Sequence, residues 1–335
     1  MWILSIYGQL RSYGFFILCL CALVCLQPRY ALAAAAKGDF PNRTVRLLIG
    51  FSPGGGTDLA ARIIVKKLTD IWGQTVVVDN RAGAGGLVAF EMTAKANPDG
   101  YTLLATSPSF AIQPTLALKL PYDPYRDFAP VTQATAAPYL LVVYPGLEAK
   151  SVKELVDLAK AQPGRLSYAS GGIGSAQHLA AELFVYMAGI KMLHVPFKGA
   201  GNVTEVMSGR VQALFSGLPQ GMPHIQAGRL RALGVTTLDR ATALPQVPTI
   251  AESGVPGYNV VIWYGVLTTG GTPKPIVDIL NAGFVQALKS PEIKQQLTGI
   301  GLDPVGNSSV EFSALVRSEI LRWSQVIKRS DIKAE

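Results

Sequence analysis

Twice in this chain, about 120 residues apart, a short apolar run ends in a serine, a glycine-rich turn and a hydroxyl residue, and then opens into a helical pattern. The first unit is the run over 45–51, then Ser52-Pro53-Gly54-Gly55-Gly56-Thr57-Asp58, then Leu59, Ile63, Ile64 and Leu68 at helical spacing. The second is 167–170, then Gly171-Gly172-Ile173-Gly174-Ser175, then a helix to about Ala188. A third turn, Ala82-Gly83-Ala84-Gly85-Gly86, follows the apolar residues 76–78. Further strands are predicted over 101–106, 139–143, 193–195, 211–215, 233–236 and 260–267. Capping boxes at Ser151/Glu154 and Ser308/Glu311 start helices, and two more are predicted over 275–289 and 291–297. This alternation predicts an α/β fold with parallel sheets and helices on both faces. The length of 335 residues suits two domains at ~150 each, so the repeat reads as two α/β lobes.

A helix N-terminus has unpaired N–H groups and about half a positive charge from its aligned peptide dipoles. Glycine lets a ligand approach that backbone closely. Three such turns at one cleft would hold carboxylates without an arginine clamp. Thr57 and Ser175 are placed to add hydroxyl donors, and His178, one turn beyond Ser175, to face the same cleft. Asp58 opposes a very negative ligand such as pyrophosphate, and its simplest role is to cap its own helix. Phe51, Phe110, Phe215 and Trp263, near strand ends, are candidate walls, though core is the commoner place for any one of them. Ser107, directly after the strand over 101–106, joins the candidate set.

The first 33 residues read as a signal peptide. Arg11 precedes an apolar run over 15–26, and Ala31-Leu32-Ala33 supplies an A-x-A cleavage site. That run is shorter than the ~20 residues of a membrane-spanning helix. Cys19, Cys21 and Cys25 all lie in this segment, none after the small residue a lipoprotein signal requires. Cleavage after Ala33 would therefore remove every thiol. Arg11 and Arg29 are the only charges lost, so the net charge falls from +8 to 28 − 22 = +6. Dispersed positive charge argues against nucleic acid and suits small anions. The expected product is an exported, periplasmic monomer without cofactor or metal.

Catalytic signatures are weak. The chain has no Walker A loop, no G-x-S-x-G and no H-E-x-x-H. The glycines at 83–86 come close to a dinucleotide fingerprint, but Val88 stands where its third glycine belongs. His178, His194 and His224 lie 16 and 30 residues apart, a spacing that favours structural roles over metal ligation.

Nine stretches together resemble one family: 51–58 (FSPGGGTD), 79–86 (DNRAGAGG), 97–104 (NPDGYTLL), 120–128 (LPYDPYRDF), 167–183 (SYASGGIGSAQHLAAEL), 194–199 (HVPFKG), 223–235 (PHIQAGRLRALGV), 244–252 (LPQVPTIAE) and 271–273 (GTP). The chain resembles the Bug-type extracytoplasmic solute-binding receptors of tripartite tricarboxylate transporters. It departs from their usual pattern at Ser52, where a second proline is common, and at Gly270-Gly271. The resemblance implies a two-lobed periplasmic-binding-protein (Venus-flytrap, type II) fold with the ligand between the lobes. It implies that one lobe holds a ligand carboxylate, partly through ordered water, with Ser52, Gly54, Gly55, Gly56, Thr57 and Asp58 and with Ala82, Gly83 and Gly85. Ser170, Gly172, Gly174, Ser175 and His178 would come from the other lobe. Residues 34–133 and 257–335 are expected to form lobe 1 and 134–256 lobe 2, with crossovers near 129–138 and 254–259.

The leading functional expectation is a receptor that hands a small carboxylate to transporter membrane subunits, with no enzymatic activity. A ligand sensor acting through a membrane sensor protein is one alternative, and an exported α/β enzyme another. A dicarboxylate, tricarboxylate, aromatic acid or amino acid all remain open as ligand.

Overall fold

The computed structural model describes residues 40–117, 119–197 and 201–329. The targeting segment, its cysteines and the site at Ala33 lie outside the described residues, as do Lys198 and Gly199. Strand β1 (Val45–Ile49) is buried at four of its five positions. Each fully buried leucine there contributes about 1.5–3 kcal/mol. β1 pairs in parallel with β2 (Val76–Asn80) and β3 (Thr102–Thr106). Helix α1 (Gly56–Trp72) links β1 to β2 and buries Ala60, Ala61, Ile64, Val65 and Leu68; of the expected stripe, Ile64 and Leu68 are buried while Leu59 and Ile63 are only partly covered. Helix α2 (Leu87–Ala94) links β2 to β3, and α3 (Ser109–Leu116) follows β3.

A second parallel set follows. β5 (Ser167–Ser170) lies between β6 (Leu193–Pro196) and β7 (Ala213–Gly217). Helix α4 (Val152–Ala161) precedes this set and starts as the capping box requires: Ser151 Oγ accepts from the Glu154 N–H at 3.2 Å. Helix α5 (Ala176–Ala188) links β5 to β6, α6 (Gly201–Met207) precedes β7, and α7 (Leu218–Gln226) follows it. Strand β8 (Arg231–Val235) completes the group. Leu140, Val142, Leu214, Leu218 and Val235 meet in its core.

Strand β4 (Phe128–Val143) joins the two sets. Up to Pro138 it pairs with β9 (Val261–Thr269), and from Tyr139 with β7, both antiparallel. The sheet order is β2-β1-β3-β9-β4-β7-β5-β6, with β8 and β10 (Asp303–Pro304) also paired to β4. The expected parallel pairing thus holds within each set and fails at β4 and β9. One strand leaves the first set and the other returns to it, so the two run in opposite directions. β4 is also much longer than the predicted 139–143. Its first half carries Pro130, Thr132, Gln133 and Thr135, and register shifts between Pro130 and Thr132 and between Gln133 and Thr135 accommodate that irregular run.

The chain ends in α8 (Lys274–Lys289), α9 (Pro291–Gly299) and α10 (Ser309–Arg329). Ser308 and Glu311 form the second predicted box: Ser308 Oγ accepts from the Glu311 N–H at 3.2 Å, and the carboxylate accepts from the Ser308 N–H at 2.9 Å. Buried Glu319 accepts the indole N–H of Trp263 at 3.4 Å and of Trp323 at 3.0 Å, fixing α10 to β9. Among the described residues no helix is long and apolar enough to cross a membrane.

Candidate functional site

A cavity of about 1060 Å³ opens where the three glycine turns converge. The first turn contributes Phe51, Ser52, Gly55, Gly56 and Thr57. Gly55 caps α1 in extended geometry with no side-chain acceptor, and the first intrahelical bond is Leu59 N–H to the Gly55 carbonyl at 2.9 Å. Among the described residues the N–H groups of Gly56 and Thr57 make no hydrogen bond, so this terminus keeps donors for an anion. Gly56 must be glycine: a Cβ there would overlap the Tyr264 hydroxyl.

The second turn contributes Ala82, Gly83, Ala84, Gly85 and Gly86. Their backbone runs through positive φ at four successive residues, 152°, 47°, 65° and 104° from Gly83 to Gly86. Three glycines in four positions make that path accessible. Helix α2 starts from Gly86, again without a side-chain cap.

The third turn differs. Gly172 and Ser175 line the cavity, but Ser175 Oγ accepts from the His178 N–H at 3.2 Å. The Ala176 N–H donates to Ser109 Oγ at 3.3 Å and the Gly174 N–H to His178 Nδ1 at 3.2 Å. The start of α5 is therefore largely satisfied by its own side chains and by α3. Gln113 of α3 donates to the carbonyls of Ala84 and Gly85, both at 3.5 Å, and its amide would lie 3.1 Å from a Cβ on Gly174. Helix α3 is thus wedged between the second and third turns.

Two tyrosines complete the walls. Tyr139 begins the second half of β4, and Tyr264 of β9 places its hydroxyl between the start of α1 and Gly217, the cap of α7. Burial pushes both phenols well above their ordinary value, so both stay protonated and can donate. Lys119 is the one charged side chain on the cavity among the described residues.

Of the sequence-predicted residues, Phe51, Ser52, Gly55, Gly56, Thr57, Ala82, Gly83, Gly85, Ser107, Gly172 and Ser175 line the cavity. Six lie off it. Gly54 is exposed at the outer bend of its turn. Asp58 is buried behind the turn, where it accepts from the Gly54 N–H at 3.0 Å, from Arg62 and from Asn80. Burial raises its pKa, but these bonds outweigh that and hold it below the usual carboxylate range. Ser170 bonds His194 Nε2 at 2.7 Å, and His178 stacks on His194 with ring centres 3.9 Å apart. Burial lowers His178 to about 3, helped by its neighbour, and His194 to about 4, so both are neutral. Phe215 packs against Phe184 and Tyr258 in the core. Trp263 faces Phe312 and Glu319. Phe110, the fourth aromatic candidate, is core beside Phe90, Tyr122 and Phe128.

Sequence reasoning missed Tyr264, Tyr139, Ser109, Gln113 and Lys119. Tyr264 adjoins the chosen Trp263, and strand alternation sends the two to opposite faces. A choice between them required knowing which face α10 covers. Among the described residues no group of three or more His, Cys, Asp or Glu could hold a metal ion.

The model of the tripartite tricarboxylate transporter family receptors matches residues 60–332. Protein BugT of Bordetella pertussis is 36% identical over 306 residues, 90% of this chain and 94% of BugT. Rpa4515 of R. palustris, solved with adipate, superposes with a TM-score of 0.84 at 38% identity, covering 88% of this chain and 99% of that one. MatC from Rhodopseudomonas palustris, with bound malate, gives 0.81 at 32% identity over 86% and 100% of the two chains. With these neighbours the expected two-lobed solute-binding fold holds. Receptors of this kind are periplasmic, and by sequence and fold this chain belongs to the tripartite tricarboxylate transporter receptor family.

Proposed function

We propose that the cavity captures a small carboxylate in the periplasm and that the loaded receptor delivers it to the membrane subunits of its transporter, without transforming it. The observation that carries this reading is the open start of α1: donors at Gly56 and Thr57 face a cavity with no acidic side chain among its described lining. Relatives solved with adipate and malate support the same ligand class. The ligand carboxylate is read by the turn at 52–57 and the turn at 82–86, with Ser107 and Gly172 contributing from the surrounding wall, where Ser175 caps α5. Asp58, Ser170 and His178 act from behind by holding the turns in shape. Lobe 1 comprises 34–133 and 257–335 and lobe 2 comprises 134–256; the change of partner along β4 at Pro138–Tyr139 supports this division. Export with cleavage near Ala33, and function as a monomer, complete the reading.

Mass spectrometry of compounds released from gently purified protein, followed by a thermal-shift screen, tests it. A carboxylate at 100 times its Kd should add about 2.7 kcal/mol of stability. Release of only non-acidic compounds, with no carboxylate raising the melting temperature, would overturn it.

A further inference from the structure

A fourth helix also starts on the cavity. Gly217, Pro219 and Gln220, at the beginning of α7, line its wall. Gly217 caps this nine-residue helix in extended geometry, and no side chain accepts from its first turn. Such a start carries N–H groups without intrahelical partners and the positive end of the helix dipole. Space does not demand glycine here: a Cβ on Gly217 would meet only ordinary contacts, 3.8 Å from Pro219 and from the Tyr264 hydroxyl. An Asp or Asn at this position would fit and cap the helix.

Two phenols flank this start. Tyr139 is the register partner of Gly217. Tyr264 sets its hydroxyl near Gly217 on one side and against Gly56, the first residue of α1, on the other. Both tyrosines line the cavity and are more than nine-tenths buried, at 5% and 8% exposure. Neither hydroxyl has a hydrogen-bond partner among the described residues. Burial holds both phenols protonated, so each keeps a proton to donate. A buried donor left unpaired is costly, and a ligand acceptor removes that cost. Helix α1 follows β1 of the first parallel set and α7 follows β7 of the second, and their starts meet at the Tyr264 hydroxyl. The other helix start of the second set, that of α5, is already filled by Ser109, Ser175 and His178.

We infer that the carboxylate held at the start of α1 is shared with the start of α7, and that the Tyr264 hydroxyl donates to it between the two. This rests on the carboxylate reading above and adds a grip from the second set that the glycine turns do not supply.

Calorimetry with adipate, malate, hexanoate and benzoate tests it. Tyr264→Phe, which removes only the hydroxyl, should weaken every acid that binds wild type tenfold or more and leave the melting temperature of the free protein unchanged. Gly217→Asp and Gly217→Asn place an acceptor on the start of α7, so both should hold or raise the melting temperature while weakening the same acids at least tenfold. Tyr264→Phe combined with Gly217→Asn should lose less than the product of the single losses, by about twofold or more, because both act on one carboxylate. Full affinity in Tyr264→Phe or in Gly217→Asp, or strictly additive losses, would overturn the shared grip and leave capture by the glycine turns intact. A loss in Gly217→Asp with full affinity in Gly217→Asn would reduce the effect to charge repulsion and overturn it as well. Binding of none of the four acids by wild type would overturn both readings together.

Discussion

The turn after β1 starts a helix whose cap, Gly55, has no side chain; the turn after β5 starts one whose cap, Ser175, holds the His178 N–H at 3.2 Å. Their sequences follow the same order of serine, glycines, hydroxyl and helix. In the first, Asp58 braces the bend from behind and the leading N–H groups remain open. In the second, Ser109, Ser175 and His178 absorb the leading N–H groups. A glycine turn before a helix is therefore only a potential anion site. Whether it becomes one depends on which neighbouring acceptors reach it first, and those neighbours lie far away in sequence.

The most damaging way to probe the contrast is at Gly56. Gly56→Val drives a side chain into Tyr264, so either the phenol or the start of α1, both on the cavity wall, must shift. Calorimetry should show at least a hundredfold loss of affinity, about 2.7 kcal/mol, alongside overpacking of about 1–3 kcal/mol. Gly54→Ala is the control. Its φ is 81° with nothing near the added Cβ, so it should lose about 1 kcal/mol of stability and no affinity. Full affinity in Gly56→Val would mean that Tyr264 and the start of α1 do not meet the ligand.

Acid should act on the second turn and spare the first. His178 and His194 are held neutral, at about 3 and about 4 against ~6.5 when unfolded. Below ~6.5 the unfolded chain binds more protons, so the stabilisation is complete above that pH and is lost as pH falls toward 4. Glu182 and Tyr168, bonded to one another beside the pair, are the other titratable groups there. Urea unfolding should show a loss of about 2 kcal/mol or more between pH 7 and pH 5. His178→Asn, which keeps an acceptor for the Gly174 N–H, should flatten that dependence. An unchanged slope would place the acid-sensitive group elsewhere.

The smallest effects separate the two hydroxyls most cleanly. Thr57 makes no side-chain hydrogen bond among the described residues and lines the cavity. Thr57→Ala should weaken binding about tenfold, ~1.4 kcal/mol, with little change in melting temperature. Ser175→Ala should do the reverse, losing about 1 kcal/mol of stability, or about 2–3 °C, with affinity within about twofold. The opposite pattern would reverse the assignment of ligand contact and cap.

What was legible in the sequence is what depends on near neighbours. The strand at β1, half of the stripe of α1, both capping boxes and the glycine turns themselves follow from local spacing; their convergence does not. What was hidden depends on register and on distant partners. Phe215 and Trp263 are aromatic residues near strand ends, as a binding wall would require, yet each lies on the core side of its strand. Helix α3 carries Pro114 and spans only 8 residues, so no clear period announced it, although Ser109 and Gln113 position two of the three turns. His178 was correctly placed beside Ser175 but on the inner side of the turn, where burial suits a neutral ring better than a ligand contact.

Strand β9 gives the molecule a built-in optical reporter. Tyr264 shows its hydroxyl to the cavity while Trp263, the next residue along, donates its indole to Glu319 on the opposite face. A compound that pushes on the phenol loads the same peptide backbone that carries the indole. The emission of Trp263 should therefore shift when a ligand reaches Tyr264, and a titration of the undyed protein, with Trp263→Phe as the control, reads that shift.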